Sequence, residues 1–120
     1  MIATRRALFA LAIGGLAAVA AAPSALAQVV IQERVMPALR VEVIPPVPHP
    51  GWAWVRGHWR WAPGGWVWVA GHYVPHAVPV MPAVVVEAPP PPPGPKFFWV
   101  RGHWVWEATH WQWIRGHWVV

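Results

Sequence analysis

Four histidines recur at the same position of a repeated motif, and histidine is the residue type in this chain best suited to chemistry. They are His58, His72, His103 and His117, and each follows a glycine. Imidazole is a ligand for Zn, Cu and Ni, so a divalent metal site assembled across the repeats is one hypothesis. However, the histidines of each pair are 14 residues apart and form no His-x-His pair. We therefore favour structural histidines that flank a tryptophan, with divalent metal binding as the alternative.

Residues suited to catalysis are scarce in this chain. It has no Cys, and beyond Ala27 it has no Ser, Asp or Asn and a single Thr, Thr109. Nucleophilic catalysis needs a nucleophile held beside a base and an orienting partner. The carboxylates are scattered over extended segments and one turn, at Glu33, Glu42, Glu87 and Glu107. We expect no enzymatic activity, no catalytic residue and no cofactor.

The histidines belong to a six-residue motif that the chain contains four times, as two tandem pairs. Within each pair the step is 14 residues, whereas the pairs are separated by a step of 31 residues that includes a proline-rich run. Each copy begins and ends with an aromatic residue, which we expect to serve in packing or stacking: Trp54, Trp59, Trp68, Tyr73, Trp99, Trp104, Trp113 and Trp118. Each copy also carries a glycine, at Gly57, Gly71, Gly102 and Gly116.

Aromatic alternation with many valines and no helical period indicates β-strands. Ala62-Pro63-Gly64-Gly65 is a strong turn signal, and residues 107–110 occupy the same place in the second pair with weaker turn chemistry. Folding at these turns predicts three aromatic cross-strand pairs in each hairpin: Trp61–Trp66, Trp59–Trp68 and Trp54–Tyr73, then Trp106–Trp111, Trp104–Trp113 and Trp99–Trp118. The predicted fold is all-β, with two Trp-rich antiparallel hairpins joined by a proline-rich extended linker.

The spacing within the motif requires an irregularity in each strand. Trp54 and Trp59 are five residues apart, so a regular strand would place them on opposite faces. A bulge with glycine at positive φ would bring both to one face. The rival interpretation makes Arg56-Gly57 a two-residue turn, with Trp54 paired to Trp59. We favour the bulge, because four-residue strands are marginal. Either way a β-branched residue at the glycine should be harmful.

The N-terminus predicts export. Arg5-Arg6, an apolar run and Ala25-Leu26-Ala27 form a signal peptide at residues 1–27, for either the general or the twin-arginine route. The predicted order is then an extended, proline-rich segment at 28–51, the first repeat pair at 52–74, the linker at 75–96 and the second pair at 97–120. Without cysteine, tryptophan packing would take the role that disulfides play in other small exported domains.

Net charge and aromatic content limit the classes of partner that this chain could bind. Removing Arg5 and Arg6 lowers the net charge from +5 to +3, which weakens the case for a polyanion. Arginines beside aromatic residues would suit single-stranded nucleic acid, but the predicted export argues against that partner. Tryptophans could instead stack on an envelope glycan or lie at a membrane surface, and a two-stranded ribbon that cannot bury both faces would also favour self-association. No stable transmembrane span is expected after signal cleavage.

The motif resembles a known family. Trp54-x-x-Gly57-x-Trp59, Trp99-x-x-Gly102-x-Trp104 and Trp113-x-x-Gly116-x-Trp118 match the WXXGXW pattern, and Trp68-x-x-Gly71-x-Tyr73 matches it with one aromatic exchange. The chain is thus similar to the WXXGXW, or YXWGXW, repeat proteins (also called BcpO-related). This resemblance implies a small exported bacterial protein, periplasmic, outer-membrane-associated or extracellular. It implies no activity, since the family is of uncharacterised function. We therefore predict a non-enzymatic protein of the cell envelope that is structural, adhesive or ligand-binding.

Overall fold

The computed structural model describes residues 30–120, and the predicted signal peptide lies outside them. Within this part the chain is all-β, and no helix there is long and apolar enough to cross a bilayer. The eight strands are β1 (Ala53–Val55), β2 (His58–Ala62), β3 (Gly65–Val69), β4 (His72–Val74), β5 (Phe98–Val100), β6 (His103–Glu107), β7 (His110–Ile114) and β8 (His117–Val119). The fold class predicted from the repeat is confirmed.

Each repeat pair is one antiparallel hairpin with an interruption halfway along. In the first hairpin β2 pairs with β3 and β1 pairs with β4, and in the second β6 pairs with β7 and β5 with β8. All six predicted aromatic pairs occur in register, from Trp61↔Trp66 at the first turn to Trp99↔Trp118 at the base of the second hairpin. Since Trp54 pairs with Tyr73, the rival two-residue turn at Arg56-Gly57 is wrong.

The two hairpin turns have different backbone conformations. Pro63-Gly64 connects β2 to β3, with Gly64 at φ 98°, which suits a proline-glycine turn. In the second hairpin Ala108-Thr109 connects β6 to β7, and Ala108 has φ 51°. The Thr109 N–H donates to the Glu107 carbonyl across this residue. A left-handed alanine carries a steric cost that glycine does not have.

The motif glycines interrupt the ladder, but not as bulges at positive φ. The described glycines with positive φ are Gly51, Gly64 and Gly65, so the predicted conformation is wrong for Gly57, Gly71, Gly102 and Gly116. The register is the same on both sides of each interruption, because Val55 pairs with His72 and His58 with Val69. Two residues are therefore left unpaired on each strand, and neither strand contains an extra one.

Two extended segments, which we call the first strap (residues 30–50) and the second strap (residues 75–95), lie against the hairpins. Neither contains a β-strand. The first strap makes one parallel bridge, between Glu33 and Trp99. There the Trp99 N–H donates to the Gln32 carbonyl (2.7 Å) and the Arg34 N–H donates to the Trp99 carbonyl (2.9 Å). The proline-rich linker is the second strap, and its Val78 and Met81 pack against the core.

The two hairpins pack against each other through β2 and β6. Among residues 30–120, the largest fully buried side chains are those of Val55, Val100 and Val105. Val55 of the first hairpin joins Trp106 and Trp111 of the second in one cluster, and Val78 and Met81 of the second strap pack against it. The hydrophobic core is therefore shared between hairpins and straps.

Candidate functional site

The motif glycines and tryptophans contact each other reciprocally across each hairpin. A Cβ added to Gly71 would lie 2.2 Å from Cζ2 of Trp54, and one added to Gly57 would lie 2.4 Å from Cζ2 of Trp68. The second hairpin repeats the exchange, with Trp99 over Gly116 at 2.2 Å and Trp113 over Gly102 at 2.3 Å. The first tryptophan of each motif thus covers the glycine of its partner motif, and close approach explains why glycine is needed there.

A strap glutamate fills each interruption of the ladder. The Glu42 carboxylate accepts from the Gly71 N–H (2.9 Å to Oε1), and the Glu87 carboxylate accepts from the Gly116 N–H (3.0 Å). The same carboxylates press on the facing glycines, because Oε1 of Glu42 lies 2.0 Å from a Cβ built on Gly57. In the sequence these glutamates have no evident role. In the structure each one accepts a hydrogen bond from a glycine N–H that the interruption leaves without a partner in the ladder.

Four indole N–H groups donate to carbonyls of the straps. Trp59 Nε1 donates to Ala38 O (3.1 Å), and Trp104 Nε1 donates to Ala83 O (3.0 Å). Nearer the turns, Trp66 Nε1 donates to the Arg34 carbonyl and Trp111 Nε1 donates to the Pro79 carbonyl. An extended, proline-rich segment has no internal hydrogen bonds, so its carbonyls are free to accept. The straps therefore supply the hydrogen-bond acceptors for these tryptophans.

Two of the four repeat histidines join the hairpins. His58 Nε2 accepts from the Trp106 backbone N–H, and His103 Nε2 accepts from the Trp61 N–H, both at 3.3 Å. In each ring Nδ1 lies within 3.0 Å of the carbonyl two residues earlier and donates to it, which places the proton on Nδ1. Each imidazole also packs edge-on against a tryptophan of the opposite hairpin, His58 on Trp111 and His103 on Trp66.

Burial favours the neutral form of these two imidazoles. His58 is 3% exposed and His103 is 5% exposed. Desolvation lowers the pKa of both rings below the usual 6.5. The hydrogen bond to the Arg56 or Arg101 carbonyl opposes this shift, whereas nearby cationic side chains, with Arg60 common to both rings, add to it. Both nitrogens are engaged, so neither ring offers a free lone pair to a metal ion.

The other two repeat histidines are exposed. His72 Nδ1 lies 3.1 Å from the Ala70 carbonyl and His117 Nδ1 lies 3.2 Å from the Arg115 carbonyl, which leaves each Nε2 open to solvent. In the part of the chain that the structure describes, no three His, Asp or Glu side chains are grouped as they would be around a metal ion. The four histidines are therefore divided two by two, and they form no metal-ligand cluster there.

The predicted stacking aromatics are turned inward. All 12 tryptophans are buried or half-buried, and each of the six cross-strand pairs has a tilted, edge-on geometry, with ring centroids 5.0–5.3 Å apart. Arg40 lies over the rings of Trp59 and Trp68, at 5.1 and 5.8 Å from their centroids. The eight motif aromatics thus serve in packing, and strap residues occupy the aromatic surface that the ribbon alone would expose.

The strap contacts follow a 45-residue repeat that extends beyond the six-residue motif. Arg34, Ala38 and Glu42 are followed 45 residues later by Pro79, Ala83 and Glu87, and the six make equivalent hydrogen bonds. Val35-Met36-Pro37-Ala38 also recurs as Val80-Met81-Pro82-Ala83, each with Val-Glu three residues further on. This recurrence of the strap sequence is the signal from which the 45-residue repeat could have been predicted. The repeating unit is therefore one strap and one hairpin, here residues 30–74 and 75–119.

Two hairpins with tryptophan ladders, each held by its own strap, define an all-β repeat protein. The model of the WXXGXW repeat family matches the chain twice, at residues 50–72 and 96–119. The resemblance inferred from the motif is confirmed, and the chain is a protein with two WXXGXW repeats. Each match covers one hairpin and leaves most of its strap outside. No match was found among curated proteins or among solved structures.

Proposed function

We propose that this chain is a non-enzymatic structural module, exported to the bacterial cell envelope, that acts by assembly with further copies of itself. The observation that carries the proposal is where its apolar surface lies. The tryptophans are turned inward, whereas the straps present valines to solvent: Val41 is 100% exposed, Val43 92% and Val86 96%. A small module with this distribution is better suited to aliphatic contacts than to stacking on sugar rings.

The exposed valines are held outward by the glutamates beside them. Val41 and Val43 flank Glu42, and Val86 precedes Glu87. Because the glutamates are turned inward to the ladder interruptions, alternation along an extended segment points the adjacent valines away from the hairpin. The straps follow the same 45-residue repeat, so two copies of the chain could offer each other matching surfaces, as self-complementary interfaces require.

Sedimentation velocity over a range of protein concentrations tests this assembly. We expect reversible, concentration-dependent association that the double variant Val41→Lys and Val43→Lys abolishes, because each lysine would place a charge in the apolar contact. Val67→Lys is the matched control, since Val67 is an exposed valine on β3 outside the straps. A monomer at every concentration, or an equal loss in the control, would contradict the proposal.

Export and envelope location need a separate measurement. We expect the full chain, expressed in a Gram-negative host, to be recovered from the periplasmic or membrane fraction with a mature N-terminus at Gln28. Mass spectrometry of the fractionated protein gives that terminus directly. Recovery of the uncut chain from the cytoplasm would contradict export.

The alternative function, divalent metal binding, has support only at the exposed histidines, because His72 and His117 each leave Nε2 open. Calorimetric titration with Zn, Cu or Ni tests it. This function would be favoured if the substitutions His72→Gln and His117→Gln remove metal binding while substitutions at the buried His58 and His103 leave it unchanged.

A further inference from the structure

A cavity of about 360 Å³ lies between the straps and the two hairpins. Its lining follows the 45-residue repeat, with pairs of equivalent residues from both units. Met36 and Met81 form one such pair, Leu39 and Val84 a second, and Trp59 and Trp104 a third. The cavity is therefore built jointly by the two repeat units.

The cavity has an inner wall of imidazole and indole rings and a rim that is both apolar and cationic. His58, His103 and Trp59 are buried, so they form its inner wall. Leu39 and Val84 are 60% and 73% exposed and lie at its opening. Exposed aliphatic side chains that line the mouth of an apolar cavity are typical of a ligand site, and the volume falls within the range of about 300–1,000 Å³ for small-molecule pockets.

Two arginines supply the charge at this opening. Arg56 and Arg101 both line the cavity, and both are exposed. Arg101 is paired with Glu33 (3.2 Å), whereas Arg56 has no ion pair within residues 30–120. The neighbouring imidazoles hold both nitrogens in hydrogen bonds. The lining thus offers a cation at the rim and no free acceptor on either ring, which favours an anion over a cation as the polar end of a ligand.

From this geometry we infer that the cavity binds an anionic amphiphile, with its alkyl chain between the two straps and its acidic group at Arg56. The ligand class is an alkyl carboxylate or the acyl chain of an anionic lipid. Both present the same chemistry to the cavity. This site is independent of the strap valines proposed above for assembly, since Val41, Val43 and Val86 do not line it.

Titration with decanoate, below its micellar concentration, tests the inference. We expect saturable binding at one site per chain, detected by calorimetry and by a change in emission from Trp59 and Trp104. Leu39→Trp should abolish it by filling the opening, and because Leu39 is largely exposed the fold should persist. Val80→Trp is the matched control: it places the same ring on an exposed strap position outside the cavity. Binding that survives in Leu39→Trp, or is lost equally in both variants, would overturn the site.

The charge is tested with decanol and with an arginine variant. Arg56→Gln should weaken decanoate binding about tenfold while leaving decanol unchanged, because only the carboxylate forms a charge-assisted hydrogen bond. Arg115→Gln, an exposed arginine at the same motif position outside the cavity, should have no effect. Equal affinity for decanoate and decanol in the unaltered protein would overturn the assignment of an anionic ligand.

Phosphatidylglycerol vesicles distinguish the two sources of the ligand. Vesicle binding that Leu39→Trp removes would identify the acyl chain of a lipid, whereas binding of decanoate without vesicle binding would identify a free carboxylate. Failure of both probes to bind would overturn the inference, and it would leave the assembly measured by sedimentation unaffected.

Discussion

The two hairpins carry the same motif and the same register, yet they differ in burial. Trp61 and Trp66, next to the first turn, are half-buried, whereas their equivalents Trp106 and Trp111 are buried. The second strap packs on the latter pair, and the first strap pairs with Trp99 at the base of the same hairpin. The second hairpin is therefore the more buried of two ladders with the same register, because both straps contact it. Burial in this protein depends on segments outside the motif.

The largest expected effect concerns the glycines, and it differs between the hairpins. Gly116→Ala would place a Cβ 2.2 Å from the buried Trp99 ring, so we expect a loss of about 3 kcal/mol in the free energy of unfolding. Gly71→Ala meets Trp54 at the same distance, but Trp54 is half-buried and can shift, so the loss should be smaller. Chemical denaturation measures both. Gly94→Ala, with only ordinary contacts to Phe97, is the control, and an equal effect there would contradict close approach as the reason for glycine.

The buried histidines should rank next. His58→Leu leaves the buried Trp106 N–H without its acceptor, and we expect a loss of about 2 kcal/mol. His103→Leu leaves the less buried Trp61 N–H and should cost about 1 kcal/mol. His72→Leu and His117→Leu, at the exposed positions, should stay within about 0.5 kcal/mol. Four equal losses in thermal or chemical unfolding would show that the hairpin interface is not what separates these histidines.

Acidification should weaken the same interface. The pKa of His58 and of His103 is lowered in the folded state, so the unfolded chain binds more protons as pH falls below about 6.5. Stability should therefore be constant above that pH with respect to these groups and should decline below it, towards the lowered pKa values. A protonated ring would turn Nε2 into a donor facing the Trp106 or Trp61 N–H. Unfolding curves from pH 7.5 to 5 measure the decline, and the double variant His58→Leu and His103→Leu should flatten it.

The smallest expected effect distinguishes the two turns. Ala108 has φ 51°, so Ala108→Gly should stabilise the second hairpin by up to about 1 kcal/mol by relieving the left-handed alanine. Ala70→Gly is the control, because Ala70 is not among the described residues with positive φ, and there the added flexibility should not stabilise. An increase in melting temperature for Ala70→Gly but not for Ala108→Gly would reverse this assignment.

Predictions from the sequence succeeded where one local signal was sufficient. The Pro63-Gly64 turn and the 14-residue step were enough to set all six aromatic pairs, because a hairpin's register follows from where its turn lies. The glycines were recognised as a backbone requirement, but the reason was wrong. A glycine at positive φ and a glycine beneath an indole ring look alike in sequence, and only the position of Trp99 over Gly116 separates them.

The sequence by itself determined the ladders, since turn position, aromatic alternation and strand propensity are local properties. It also contained the 45-residue repeat that sets which strap carbonyl and which glutamate serves each hairpin. Only the tertiary structure decided which histidines are buried. His103 and His117 lie in motifs that differ by one aliphatic residue, yet only His103 has β2 beside it. The physical reason is that burial and hydrogen-bond partners come from segments distant in the chain, which the motif does not encode.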